Sequence, residues 1–173
     1  MGRGDKIFEI AIQTVLKHEG GYTVDHAGPT NYGVTLRSLD VDIDLDGDID
    51  GDDIRAMTIE DAIAFYKRRW WDRYKYYEIN HMLLATKVFD LAVNMGSKQA
   101  GKLVQRAMRA FDVRLVEDGV LGPVSFNAIN NIPYRDGLII GVRCEAAGFY
   151  RSLVAGKPKF EEFLKGWLNR AYA

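Results

Sequence analysis

Residues 5–35, DKIFEIAIQTVLKHEGGYTVDHAGPTNYGVT, hold a periodic apolar run that ends on a glutamate and two glycines and then passes into a polar turn. Ile7, Phe8, Ala11, Ile12, Val15 and Leu16 recur at intervals of three and four, the spacing of an amphipathic helix that begins near Asp5. Gly20 and Gly21 supply its stop. Glu19 follows Val15 and Leu16 by four and three residues, so its carboxyl shares the apolar face. The helix dipole disfavours an acid at that end, so helix stability does not account for it. Residues 22–57 are rich in Gly, Asp, Thr and Pro and read as loops with short strands.

Beyond that segment the chain is helical in pattern. Thr58-Ile-Glu-Asp61 resembles a capping box, opening a helix through AIAFYKRRWW. A further helix is expected over 81–94, and Ser97 is placed to cap another through KQAGKLVQRAMRAF. After the turn-rich VEDGVLGPVS come a short helix, a long one over 136–153, a break at Gly156 and Pro158, and a last helix, KFEEFLKGWLNRAY. The expected class is mainly α, in the α+β sense: a helical lobe with a small irregular or β segment after the first helix. A chain of 173 residues suits two regions sharing one core, with a boundary expected between 1–86 and 87–173.

The composition is that of a packed globular protein, and the single cysteine, Cys144, excludes an internal disulfide and a cysteine-rich metal site. The opening apolar run is interrupted by Glu9, Gln13 and Thr14 and is followed by no small-residue cleavage site. No signal peptide or membrane span is therefore expected, and synthesis in the cytoplasm is. Net charge is −1, but eight of the 24 acids lie in residues 40–53, leaving 16 acids against 23 bases, or +7, elsewhere. With a cation in the acidic loop, the protein would suit an anionic polymer or envelope surface.

A carboxyl beside apolar walls can hold a proton near neutral pH and deliver it, as the general acid of glycoside cleavage must. Asp25 supplies a second carboxylate six residues on and Thr30 a hydroxyl, together able to hold a water opposite the acid. Two glycines beside the acid leave room for a polymer. His18 and His26 flank it but read as surface or cleft-rim residues, since glycoside chemistry needs two carboxyl groups and no imidazole.

EGGYTVDHAGPTNYGVT resembles the opening motif of the glycoside hydrolase family 108 lysozymes, an EGGY tetrapeptide followed by an Asp, a Gly-rich turn and a T-x-Y-G-I-T-like segment. TIEDAIAFYKRRWWD resembles that family's aromatic helix and VFDLAVNMGSKQAGKLVQRAM its N-x-G…LQ helix, while VEDGVLGPVSFNAI is similar to the DG-x-x-G-P turn of its C-terminal peptidoglycan-binding-like region. The resemblance spans nearly the whole chain except the aspartate loop. It implies a lysozyme-like fold, an N-acetylmuramidase of the phage endolysin type, and Glu19 as the catalytic acid. More distantly, Asp25 and Thr30 resemble the Asp and Thr of the Glu-Asp-Thr phage lysozymes, with Thr35 an alternative hydroxyl. The implied partners are bacterial peptidoglycan and a holin or similar route to it in the periplasm.

DIDLDGDIDGDD, residues 42–53, puts oxygen ligands at loop positions 1, 3, 5, 7, 9 and 12, namely Asp42, Asp44, Asp46, Asp48, Asp50 and Asp53. Gly47 and Ile49 occupy positions 6 and 8, where an EF-hand or dockerin calcium loop has a glycine turn and an aliphatic anchor. Asp48 would act through its backbone carbonyl. A structural calcium is expected, because hydrolysis itself needs no metal.

Between Phe65 and Tyr77 the aromatics are dense, and Phe65, Tyr66 and Trp70 are expected in the core. Tyr22 and Tyr32, beside Glu19, are the expected saccharide contacts, with Asn94 and Gln105 as polar contacts further on. The basic cluster KRRWWDRYK is too short to predict nucleic-acid binding in an acidic chain, and a monomer is expected. Two rival functions remain open: a lytic transglycosylase using the same Glu, and a calcium-stabilised peptidoglycan-binding module that cuts nothing.

Overall fold

The computed structural model describes residues 2–26 and 28–173. Among these, eight α-helices surround one continuous core, with a small antiparallel sheet set against it. Helix α1 (Arg3–Glu19) starts two residues before Asp5, whose carboxylate instead accepts the Gly2 N–H at 3.1 Å from inside the first turn. Its apolar face, Ile7, Phe8, Ala11, Ile12 and Val15, is buried against α4 (Met82–Met95).

Strands β1 (Thr23–Asp25), β2 (Gly28–Asn31) and β3 (Val34–Thr35) follow in order 1-2-3. Tyr32 and Gly33 join β2 to β3 with φ of 49° and 76°, the two positive values that a type I′ hairpin turn requires. Asn31, buried behind this turn, donates to the carbonyls of Ile54 and Met57 at 3.1 and 3.2 Å. Those bonds tie the sheet to α2 (Gly51–Ala56), a short helix lying in the stretch expected to be loop.

Thr58 and Asp61 cap α3 (Ile59–Tyr66) reciprocally, as the sequence predicts. The helix then widens into a π-turn, Lys67–Asp72. One extra residue in that turn shifts the register. Trp71 therefore fills the core, against Phe8, Phe89 and Tyr76, while Trp70 packs half-buried at its edge and Phe65 and Tyr66 are buried as expected.

Gly96 rather than Ser97 is the N-cap of α5 (Ser97–Ala107). Helix α6 (Pro123–Asn130) follows the DG turn, and α7 (Arg135–Gly156) outruns its expected span at both ends. A 3₁₀ turn, Pro158–Phe160, leads into α8 (Glu161–Tyr172). Helix α4 touches α1, α5 and α7, so the first and last parts of the chain meet along it.

Candidate active site

Glu19 ends α1 directly below the β2–β3 turn. A Cβ built on Gly33 would stand 2.7 Å from Glu19 Oε2, 2.8 Å from Glu19 Cβ and 2.6 Å from the Tyr66 hydroxyl. Gly33 is thus fixed by a close approach as well as by its positive φ. Tyr66 donates to the Tyr32 carbonyl at 3.0 Å, locking the turn over the glutamate. Burial first, and the Glu19 charge second, push the Tyr66 phenol well above the usual tyrosine range.

The walls expected to be apolar include an arginine. Arg170 Nη2, from the last turn of α8, donates to Glu19 Oε1 at 2.7 Å across 151 residues of sequence. Arg170 is itself buried, and its Nε lies 3.5 Å from Oδ1 of Asp90, a fully buried carboxylate on α4. His18 Nδ1 reaches the same Oδ1 at 2.9 Å, so His18 belongs to the network behind Glu19 rather than to the cleft rim. Lys87, also buried, donates to the Arg170 carbonyl at 2.8 Å and lies 3.9 Å from Asp90 Oδ2. Burial lowers the Lys87 ammonium from its ordinary range, opposed by the Asp90 charge. Arg170, Asp90 and Lys87 escape sequence reasoning, because a base near a helix C-terminus and an Asp beside a Lys are ordinary surface patterns.

An arginine has donors only, so Oε1 accepts, while Oε2 lies beneath Gly33. The carboxyl is thereby oriented with one oxygen held and the other presented toward the turn. Register pairs Thr30 with both Thr23 and Thr35, which sets the three side chains on one face of the sheet. Asp25, two residues along β1 from Thr23, shares that face. Thr30 and Thr35, alternatives by sequence, are thus cross-strand neighbours, and the Thr35 hydroxyl also meets Ser38 Oγ at 3.2 Å.

Tyr22 is exposed with the Arg55 guanidinium 6.0 Å from its ring centre, and Tyr32 is half-buried in the turn over Glu19. Asn94, exposed one helical turn beyond Asp90, accepts from the Tyr150 hydroxyl at 2.7 Å. Gln105 lies elsewhere: 1% exposed, it donates to Asp118 Oδ1 at 2.8 Å and the Val120 carbonyl at 3.2 Å and accepts from Gly119 N at 2.9 Å. With its amide spent on the DG turn and no surface open, it holds backbone instead of facing a substrate.

In the aspartate loop, carboxylate oxygens of Asp42, Asp44 and Asp46 lie within 4.8 Å of one another, as do those of Asp48, Asp50 and Asp53. Asp42 Oδ2 accepts from Gly47 N at 3.0 Å, and Gly47 takes a φ of 107° that a side chain would strain. Asp53 is buried, and N–H groups of Ile43 and Asp50 hold its carboxyl below the usual range. The neighbouring charges of Asp46 and Asp50 push Asp48 up.

Residues 12–96 match the glycosyl hydrolase 108 family, and residues 99–172 match a predicted peptidoglycan domain. The chain thus carries a glycosyl hydrolase 108 region followed by a peptidoglycan region. It is a peptidoglycan-degrading glycosidase in coarse outline, with Glu19 inside the first matched region and Arg170 inside the second. Its fold is similar to that of Brucella abortus SagA, with a TM-score of 0.73 and 24% identity over 97% of this chain and 91% of that one. Comparison with curated proteins found no match.

Proposed function

We propose that the protein is a lysozyme of the endolysin type, hydrolysing the β-1,4 bond between N-acetylmuramic acid and N-acetylglucosamine. The observation that carries this reading is the fixed seat of Glu19, with Oε1 held by Arg170 and Oε2 turned toward the β2–β3 turn, the oxygen we assign to the leaving group. Asp25 and Thr30, on one face of the sheet seated over that acid, would hold the attacking water, with Thr35 beside Thr30 able to share the task. Tyr22, Tyr32 and Asn94 are the proposed saccharide contacts.

The aspartate loop is proposed to bind a structural calcium through Asp42, Asp44, Asp46, Asp50 and Asp53 and the Asp48 carbonyl. The Gly47 turn, the Asp42 bond to its N–H and the two groups of clustered carboxylates support this. Asp53 Oδ1 accepts from the N–H groups of both Ile43 and Asp44, while Oδ2 accepts from Asp50 N at 2.7 Å and is the oxygen that keeps a lone pair for an ion. The role is to hold α2, and through Asn31 the sheet, in place.

The enzyme would act as a monomer on periplasmic peptidoglycan, released from the cytoplasm by a holin or similar route. Digestion of purified sacculi with mass spectrometry of the soluble products tests the reaction. Reducing muramic-acid ends are expected; 1,6-anhydro ends would make it a lytic transglycosylase, and binding with no fragments a module without activity.

A further inference from the structure

A cavity lies away from Glu19. It has a volume of about 880 Å³, within the range of ligand sites, and opens between the segment 73–78 and the DG turn with α6. Gln105 builds one wall by fixing residues 118–120, and Gly101 and Gly119 let that turn touch α5, since a Cβ on Gly101 would stand 2.3 Å from the Gly119 carbonyl oxygen. Apolar side chains of Val120, Leu121, Pro123 and Phe126 line it, and Val120 is 64% exposed at its lip.

The charged lining is cationic in excess. Arg73, Lys75 and Lys98 face Glu78 and Asp118, and Asp118 Oδ1 is already taken by Gln105 and by Val120 N, both at 2.8 Å. Lys75 is held at a φ of 56°, a conformation a lysine seldom adopts. Helices α5 and α6 both begin at the cavity, with no side-chain cap and no acid in the first turn, so their positive ends add to the field.

Sugar rings need an open aromatic face, and the lining rings offer little: Phe126 is 6% exposed. Tyr76 is 2% exposed, with Trp71, Tyr74 and Phe89 around it, while Tyr74 carries Trp70, Tyr76 and the Arg73 guanidinium at 5.8 Å. Methyl groups and carboxylates suit the walls and the rim, and Glu78 can take an ammonium.

We propose that this cavity binds the stem peptide of peptidoglycan, a short chain of alanine methyls, free carboxylates and a diamino acid. This deepens the peptidoglycan reading and rests on it. Tyr77, between the lining residues Tyr76 and Glu78, packs on Gly4, and Glu19 is 15 residues further along α1, about 22 Å at 1.5 Å per residue. An extended five-residue stem reaches at most about 18 Å. The bound peptide therefore meets the protein well away from the acid, and the protein holds the wall at two points.

Binding of the Glu19→Gln protein to immobilised sacculi, and to immobilised glycan strands stripped of peptide by an amidase, tests this. Stripping is expected to weaken binding at least about tenfold, the loss of a second linked contact. Lys75→Glu with Lys98→Glu, and separately Val120→Trp, are expected to weaken sacculus binding equally and to abolish the difference between the two surfaces. A charge-matched control, Lys157→Glu with Lys159→Glu, is expected to bind as the parent does. Equal parental binding to both surfaces, undiminished binding by the cavity variants, or equal loss with the control would overturn the site. Failure of the wild type to cut sacculi, with binding still peptide-dependent, would sink the glycosidase reading and leave the cavity assignment standing.

Discussion

Arg170, from the far end of the chain, holds one oxygen of the Glu19 carboxyl and leaves the other facing the β2–β3 turn. The same guanidinium meets the buried Asp90, so its removal leaves Glu19 without its cation and Asp90 with only Lys87 and His18 beside it. Arg170→Met is expected to cost about 3–5 kcal/mol in urea unfolding, the penalty for an uncompensated buried charge. In steady-state kinetics it should lower kcat more than it raises KM, because the oriented acid matters in the transition state. Arg170→Lys should recover part of both, since an ammonium keeps the charge but not the fork. Wild-type kcat in Arg170→Met would show that Glu19 needs no such support. Glu19 was legible in the sequence because an acid on an apolar helix face is anomalous. Arg170 was not, because local pattern carries no information on a partner 151 residues away.

At the scale of elements, periodicity located the helices and missed features that depend on hydrogen bonds along the backbone. The π-turn at Lys67–Asp72 puts Trp71 in the core and Trp70 at its edge, and composition gives no sign of the inserted residue. Helix α2 is hidden in the sequence because its N-cap, Asp50, and its third residue, Asp53, have the spacing of metal ligands, while in the structure they cap a helix. That double use makes the loop and the helix one unit. Calcium at about a hundredfold excess over its dissociation constant should stabilise the protein by about 2.7 kcal/mol. The melting temperature should rise by roughly 5–10 °C, and chelation should reverse it. Asp42→Ala with Asp44→Ala should abolish the shift; an unchanged melting temperature in millimolar calcium would remove the ion from the account.

For the molecule as a whole, one core joins the two matched regions, and its buried phenols set an alkaline limit. Burial raises Tyr66, Tyr76 and Tyr150 above their ordinary value of 10.0. Above that pH the unfolded chain releases three protons that the folded chain keeps, so stability falls by about 4 kcal/mol per pH unit. Lys87, lowered by burial, acts in the opposite sense. Its penalty is fully present below its folded value and fades as pH rises toward the ordinary lysine range near 10.5. Stability from these groups should therefore peak near pH 10, with three of the nine tyrosines ionising only on unfolding. Tyrosinate absorbance against circular dichroism at high pH checks this; nine tyrosines ionising before unfolding would contradict it.

The central claim is that Glu19 delivers the proton that breaks the glycan. Its most direct test is the rate at which Glu19→Gln releases reducing ends from sacculi, relative to wild type, with calcium present. Glutamine is isosteric and its amide oxygen still accepts from Arg170, so the fold and melting temperature should be retained. The rate should fall at least about 100-fold, as loss of a general acid requires. A folded Glu19→Gln protein that cuts at a rate near that of wild type would contradict the account.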